Sequence, residues 1–402
     1  MIASLLFWVA LIGIVHTYIA YPLLLKLLSL AKGPPTQSES LSHKSKVKGD
    51  SENEDFPAVT ILFAAYNEES VIEQKIHSCF SSSYPKEKIF VSVASDNSTD
   101  KTHEILERLK IQYPNLSYSI SEDRMGKSAL INQLVSEVKT PIYIGTDANI
   151  IFSKDTLVEL IGPFVDSNVH LVGGNIVYQE STAQGIASQE DQYLGFENAL
   201  KHRESLVFNQ FIGAEGGCYA MRTSSYSPIP PLTFMEDFYL TMKINQNRHK
   251  TIFNPKAICF EDVSTDWREE FKRKVRISIG NFQNLKRFSS LLFRFPLGFA
   301  FFSHKVLRWI TPILLITIGV CSIFLFNTSP FYKGFALLEL VVILCLGLDV
   351  LFSKGGKRSF AFGLLTHFMV MNTALLVGLY KYSKGISSNV WQPTKRNQQK
   401  TQ

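Results

Sequence analysis

Four long runs of the sequence carry almost no charged side chains, and they limit what the chain can fold into. Residues 2–25, 309–326 and 359–380 contain no Lys, Arg, Asp or Glu, and residues 334–348 contain only Glu339. Each run is close to the length that an α-helix needs to cross a bilayer. A buried soluble helix is the alternative for one run, but four runs favour one N-terminal and about three C-terminal transmembrane helices.

The charges that follow the first run indicate its orientation. Its basic residues come after the apolar stretch, at Lys26, Lys32, Lys44, Lys46 and Lys48. A cleaved signal peptide has basic residues before its apolar run. We therefore expect an uncleaved anchor at 1–31 in the inner (plasma) membrane, a multi-pass chain, and a cytoplasmic domain after the anchor.

The composition argues against a nucleic-acid partner and against a zinc site. The net charge is +6, but much of the surplus lies beside the apolar runs, where anionic lipid or membrane orientation accounts for it. No basic stripe with interleaved aromatic residues indicates a nucleic-acid partner. The five cysteines are far apart and no Cys-x-x-Cys occurs, so we expect reduced thiols and no zinc site.

Between the apolar runs, β-branched stretches alternate with amphipathic ones. Residues 59–65, 89–94 and 142–146 read as buried strands, and polar residues follow each of them. Strands alternating with helices predict an α/β domain with a mixed, mainly parallel sheet at 57–290. The carboxyl ends of such strands meet at one sheet edge, where ligands bind.

The stretch after residue 146 carries two oxygen-bearing side chains. Asp147 and Asn149 lie two apart, so in an extended segment their side chains point the same way. Two hard oxygens suit Mg²⁺ or Mn²⁺ shared with a phosphate. The alternative is a strand end capped by two common turn formers.

A second candidate lies at Gly126-Lys127-Ser128. It resembles the end of a phosphate-binding loop, but residue 121 is Ser rather than the Gly that the full pattern needs, which disfavours a P-loop kinase or ATPase. The start of a helix with a lysine nearby still suits a diphosphate. The alternative interpretation is an ordinary helix start with no ligand.

Two further charged pairs have competing interpretations. Glu236 and Asp237 begin a predicted helix, where acidic side chains are common and where the helix dipole favours the ionised form. Arg273 and Arg276 lie three apart on one helical face and suit either a diphosphate or lipid head groups.

In this order and spacing, the motifs resemble the family-2 glycosyltransferases, specifically the membrane-anchored, processive-synthase-like branch with the GT-A fold. The resemblance covers roughly residues 57–290. It implies a nucleotide-sugar pocket, for which we expect a UDP-sugar as the donor. The residues it assigns to that pocket are Ala65, Tyr66, Glu68, Asp96, Lys127 and Asp147.

The resemblance also implies reacting groups. Asp237 matches the general base, with Glu236 beside it, and Asp147-Ala148-Asn149 stands where the family has the metal-binding Asp-x-Asp. The family's Gln-x-x-Arg-Trp motif falls on residues 273–277, where Arg276 keeps the arginine and Arg273 and Ile277 replace Gln and Trp. The missing Trp argues against a long processive polymer.

The expected activity is inverting transfer of a hexosyl or N-acetylhexosaminyl group to a glycan or lipid-linked acceptor. Two other classes stay open: a membrane-tethered binding or scaffold protein with a degenerate domain, and a nucleotidyltransferase. The expected segments are an anchor at 1–31, a disordered linker at 32–56, the GT-A domain at 57–290, an interfacial segment at 291–308, transmembrane helices at 309–382 and a basic tail at 383–402.

Overall fold

The chain forms two compact units. A computed structural model describes residues 1–32, 56–178, 186–262, 267–353, 360–386 and 388–390. The helical unit comprises Met1–Leu24, Thr182–Gln192 and Asp266–Gly385, and the sheet unit comprises Leu25–Ser181, Tyr193–Thr265 and Ile386–Gln402. Most of the predicted linker at 32–56 and of the predicted tail at 383–402 lies outside the described residues.

One sheet forms the core of the sheet unit. Its strands are β1 (Val59–Ala65), β2 (Ile89–Ser95), β3 (Leu116–Ile120), β4 (Ile142–Thr146), β5 (Ile151–Phe152), β6 (Val169–Tyr178), β7 (Cys218–Arg222) and β8 (Lys250–Glu261). They lie in the order β3-β2-β1-β4-β7-β6-β8-β5. Strand β1 pairs in parallel with β2 and β4, whereas β7 runs antiparallel to β4 and β6. The predicted mixed, mainly parallel sheet is confirmed.

Helices precede the first strand, alternate with the strands and continue after the last one. They are α1 (Ile2–Ala31), α2 (Ile72–Phe80), α3 (Thr102–Gln112), α4 (Lys127–Glu137), α5 (Thr156–Ile161), α6 (Ile186–Phe208), α7 (Glu236–Gln246), α8 (Trp267–Arg287), α9 (Leu297–Trp309), α10 (Thr311–Phe324), α11 (Pro330–Ser353) and α12 (Phe360–Ser383). The helix starts predicted near residues 127 and 236 agree with α4 and α7.

The direction of the strands explains where the polar segments meet. All residues of β1 are buried, as expected for a central strand covered on both faces. Ala65 pairs with Ser95, and the N–H of Asp96 donates to the Ala65 carbonyl at 2.8 Å. The segments after β1, β2 and β4 therefore share one edge, as predicted.

Strand β8 was not predicted from the sequence. Its middle residues, Asn254, Pro255 and Lys256, interrupt the apolar pattern, and the register against β6 shifts between Gly173 and Asn175. A proline removes a ladder hydrogen bond and is tolerated at such irregularities. Neighbouring strands, rather than local preference, maintain this segment as a strand.

Apolar helices dominate the helical unit. Within the described part of the chain, Ile2–Ala31 and Pro330–Asp349 are long and apolar enough to cross a membrane. Helices α9 and α10, which meet at a bend of 62°, add a third crossing if they form one span. The predicted interfacial segment at 291–308 falls largely on α9.

Polar contacts join the helices of this unit. Ser322 donates to Glu339 at 2.6 Å, and Thr366 donates to Asp349 at 2.8 Å. These hydroxyls give hydrogen bonds to carboxylates of α11, which would otherwise be costly in an apolar surrounding. Ser278 of α8 donates to the Leu375 carbonyl of α12 at 2.9 Å.

Gly145 of β4 provides a test of the packing between β4 and β7. It pairs directly with Tyr219, and a Cβ there would overlap the Tyr219 ring. We expect Gly145→Ala to lower the melting temperature by several degrees, since overpacking costs about 1–3 kcal/mol. Gly162→Ala is the control, because a Cβ at Gly162 meets no atom within 4 Å. Equal melting temperatures for Gly145→Ala and the parent chain would contradict this packing.

Candidate active site

Two loops at the sheet edge are bound to each other. The N–H of Asn67 donates to Ser98 at 3.1 Å, and Asn67 accepts from the N–H of Thr99 at 2.8 Å. Asn67 and Asn97 adopt left-handed backbone angles, which asparagine tolerates better than most residues. The loops after β1 and β2 therefore form one surface.

Of the residues predicted for the nucleotide pocket, Ala65 and Glu68 are buried. The Glu68 carbonyl accepts from the N–H groups of Val71 and Ile72 at the start of α2. The N–H of Glu68 donates to Thr102 at 3.0 Å. Both residues shape the loop, and their predicted contact with a nucleotide stays a prediction.

Asp96, Arg124 and Tyr66 form a cluster at this surface. Asp96 is fully buried, and its carboxylate accepts from the N–H of Met125 at 2.6 Å and from Arg124 Nε at 3.0 Å. The guanidinium of Arg124 lies 3.2 Å from the centroid of the Tyr66 ring. Asp96 thus fixes the turn before α4, a role that was not predicted from the sequence, and its predicted contact with a nucleobase stays a prediction.

Lys127, the first residue of α4, joins two carboxylates. Its Nζ lies 2.6 Å from Asp147 Oδ1 and 2.5 Å from Glu236 Oε1. Burial alone lowers the pKa of Lys127, but Asp147 and Glu236 outweigh it and hold that pKa above its usual range. The ammonium therefore stays charged and holds the end of β4 to the start of α7.

Asp237 lies beside this ion pair. Burial, with the negative charge of Glu236, raises the pKa of Asp237 to about 8, although Lys127 opposes the shift. The sequence predicts that the helix dipole favours the ionised form, but these two effects are larger. The ionised form of a carboxyl group with this pKa is a stronger base than an ordinary aspartate carboxylate.

The glycine-rich turn before β7, residues 213–217, lines the same site. A Cβ on Gly216 would lie 3.2 Å from Asp237 Oδ2 and 3.4 Å from Lys127 Nζ. Thr241 accepts from the N–H of Ala214 at 3.0 Å and donates to the Asp237 carbonyl at 2.8 Å. The turn is therefore attached to α7, and its backbone approaches the charged groups.

A second buried lysine was not predicted. Lys201 of α6 is 1% exposed and pairs with Glu215 of the glycine-rich turn. Burial lowers the pKa of Lys201, yet Glu215 and Glu197 together raise it above its usual value. The periodicity of a helix does not reveal a partner in a separate turn, which is why this ion pair could not be predicted.

The donor set fits a divalent cation at Asp147. Within the described residues, no three or more His, Cys, Asp or Glu side chains converge as a closed metal cage. Mg²⁺, however, is often held by one or two carboxylates with substrate phosphates. The Asp147 side chain is 38% exposed, and Asp147, Glu236 and Asp237 surround the single ammonium of Lys127. That excess of negative charge suits a cation.

Asn149, Arg273 and Arg276 were also predicted as site residues, but the contacts described for Asn149 and Arg273 are with residues other than Lys127, Asp147, Glu236 and Asp237. Asn149 is nearly buried, and its Nδ2 donates to Glu261 at 3.3 Å. Arg273 lies 3.5 Å from Glu270 within α8, and Arg276 is exposed on the same helix. Helix α8 belongs to the helical unit, so the predicted roles of both arginines stay predictions.

Comparison with known proteins identifies similar sequences. Residues 60–227 match the family model described as glycosyl transferase family 2. A beta-monoglucosyldiacylglycerol synthase of Synechocystis sp. is 32% identical over 142 residues, which cover 35% of this chain and 29% of that protein. A poly-beta-1,6-N-acetyl-D-glucosamine synthase of Staphylococcus aureus is 24% identical over 279 residues, 67% of this chain and 66% of that protein. The chain thus matches less than two thirds of either relative's length.

A solved structure shows the same fold. A mannosyltransferase from Pyrobaculum calidifontis, in complex with GDP-Man and Mn²⁺, superimposes with a TM-score of 0.62 at 20% identity. The likeness covers 89% of this chain and 99% of that one. It supports the mixed sheet with GT-A-like topology.

Titration of Asp237 tests the electrostatics of the site. Infrared difference spectra recorded against pH should show a carboxyl group with a midpoint near pH 8 that is missing in Asp237→Asn. In Glu236→Gln the midpoint should move to lower pH, because a negative charge that favours the protonated form is removed. An unchanged midpoint would show that Glu236 does not influence Asp237.

Proposed function

Residues 60–227 form a glycosyltransferase family 2 domain, and from that premise we propose that the chain transfers a sugar from a nucleotide-sugar donor to a hydroxyl group of an acceptor. The observation that carries the proposal is the group formed by Lys127, Asp147, Glu236 and Asp237, in which a cation and a carboxyl group of raised pKa lie together. Such a transfer needs charge stabilisation for a diphosphate and one base for the acceptor.

The donor side uses Lys127 and Asp147. A diphosphate leaving group gains negative charge as its bond to the sugar breaks, and the ammonium of Lys127 would stabilise that charge. A bound Mg²⁺ or Mn²⁺ would supply further positive charge, and Asp147, with Asn149 two residues on, would hold it. We propose that the donor is a UDP-sugar and that its uracil ring binds near Tyr66 and Asp96.

The acceptor side uses Asp237. The acceptor oxygen forms a bond to the anomeric carbon while the bond from that carbon to the diphosphate breaks, and Asp237 takes the hydroxyl proton. This single displacement inverts the anomeric centre. Desolvation of Asp237 makes it a stronger base than an exposed aspartate, which favours the transfer.

The proposals for the acceptor and the location are supported by the names of the relatives and by the apolar helices. The relatives are named as synthases of a glucolipid and of an N-acetylglucosamine polymer. We propose a hexosyl or N-acetylhexosaminyl group and a glycan or lipid-linked acceptor. We propose a multi-pass enzyme of the inner (plasma) membrane, which the apolar helices support. In this proposal the sheet unit lies on the cytoplasmic side, where nucleotide sugars are made.

Asp147→Ala tests the donor site. We expect loss of the increase in UDP affinity that Mn²⁺ produces, because the variant lacks the accessible carboxylate of the site. Calorimetry on the full chain in detergent, with and without Mn²⁺, measures the effect. Asn149→Asp is the control and should keep metal-dependent binding, since it adds a charged oxygen. Unchanged metal dependence in Asp147→Ala would place the cation elsewhere.

Asp237→Asn tests the base. The amide keeps the shape of the carboxylate but cannot take a proton, so kcat should fall by about 10²–10⁴ while UDP affinity changes little. UDP release from a panel of nucleotide sugars measures turnover. Glu236→Gln should be milder. If Glu236→Gln abolishes turnover and Asp237→Asn stays active, the two roles are reversed.

A further inference from the structure

A fully buried lysine lies beneath the active-site edge. Lys75 is on α2, where it shares the apolar stripe formed by Ile72, Ile76, Cys79 and Phe80, and its exposed fraction is 0%. Taking an ammonium group out of water is strongly unfavourable unless polar groups replace the water. Burial correspondingly lowers the pKa of Lys75. A group this unfavourable to bury needs a compensating role.

The hydrogen bonds of the Lys75 ammonium group go to the two ends of one short turn. Its Nζ donates to Thr146 Oγ1 at 2.9 Å and to the Ile150 carbonyl at 2.6 Å, and it lies 3.6 Å from the centroid of the Phe152 ring. In the described part of the chain, no carboxylate oxygen lies within 4.0 Å of it. The lysine therefore acts as a donor to neutral groups rather than as one half of an ion pair.

These two hydrogen bonds hold both ends of the turn that carries Asp147 and Asn149. Within the turn, the N–H of Ile150 donates to the Asp147 carbonyl at 3.2 Å. Lys75 bonds to the residue before Asp147 and to the residue after Asn149. Movement of the turn away from α2 would break both bonds at once.

Thr146 extends the connection to the glycine-rich turn. Its hydroxyl accepts from Lys75 and donates to the Gly217 carbonyl at 2.7 Å. The preceding residue, Gly216, is the one whose backbone faces Asp237 and Lys127. A continuous chain of hydrogen bonds thus runs from Lys75 through Thr146 to the wall of the active site.

We propose that Lys75 is a positioning residue that, through Thr146, fixes the Asp147 turn relative to the glycine-rich turn beside Asp237. The inference rests on the proposed function, because it assigns the spacing of donor-binding and proton-accepting groups to this chain of hydrogen bonds. Partners behind the ligating groups typically change metal affinity or activity 10–100-fold when removed.

Four variants of the full-length chain test the proposal. Lys75→Met keeps the apolar stem and removes the ammonium, and Thr146→Val removes the hydroxyl at nearly constant shape. Their double variant reports coupling, and Thr146→Ser is the matched control because it restores the hydroxyl. Hydrogen exchange of peptides covering 146–152 and 213–219, melting temperature, and Mn²⁺-dependent UDP affinity are measured for each.

We expect Lys75→Met and Thr146→Val each to accelerate exchange at both turns and to weaken Mn²⁺-dependent UDP binding about tenfold or more. The double variant should be no weaker than either single variant, since both remove the same connection. Thr146→Ser should behave like the parent chain. A general loss of stability would instead lower the melting temperature and accelerate exchange throughout the sheet unit.

Two results would overturn the proposal: exchange at 213–219 that is unchanged in Lys75→Met, or losses of UDP affinity that add in the double variant. If Lys75→Met does not fold, the comparison of Thr146→Val with Thr146→Ser decides between the outcomes. Failure of the proposed function is recognised separately, because the parent chain would then bind no UDP. The exchange measurements need no nucleotide and still report on the connection.

Discussion

The geometry of the candidate active site depends on two ion pairs made by the ammonium group of Lys127. This group brings together Asp147, which follows β4, and Glu236, which begins α7, at 2.6 and 2.5 Å. Without a cation between them, the negative charges of Asp147 and Glu236 would repel each other. The raised pKa of Asp237 comes first from burial and then from the negative charge of Glu236, and the ammonium of Lys127 opposes the shift.

Strand direction makes this arrangement possible. The parallel strands bring the loops after β1, β2 and β4 to one edge, and antiparallel β7 places the glycine-rich turn at the same edge, since Thr146 pairs with Cys218. A parallel strand in that position would start at the opposite edge. The turn can then approach Asp237 through a backbone that has no Cβ at Gly216.

Several site residues were predictable because polar side chains directly follow apolar strands or begin helices. Lys127, Asp147, Glu236 and Asp237 all follow this rule, and the structure brings them together. The partners of Arg124, Lys201 and Lys75 were not predictable, because each contacts a segment distant in sequence. Lys75 left one trace, a lysine on the apolar face of an amphipathic helix. Strand β8 was missed because its neighbours, not its own pattern, define it.

The hydrogen bonds accepted by Asp96 limit how this residue can change during evolution. It receives hydrogen bonds from Arg124 and Met125, the two residues that precede Gly126 and Lys127. On the proposed function, a substitution at Asp96 that changed the choice of nucleobase would also remove the hydrogen bonds to the turn before Lys127, the residue proposed to bind the diphosphate. Under that proposal, nucleobase selectivity and diphosphate binding depend on the same carboxylate, so a change of donor nucleotide through Asp96 would need a compensating substitution in the turn to keep the rate.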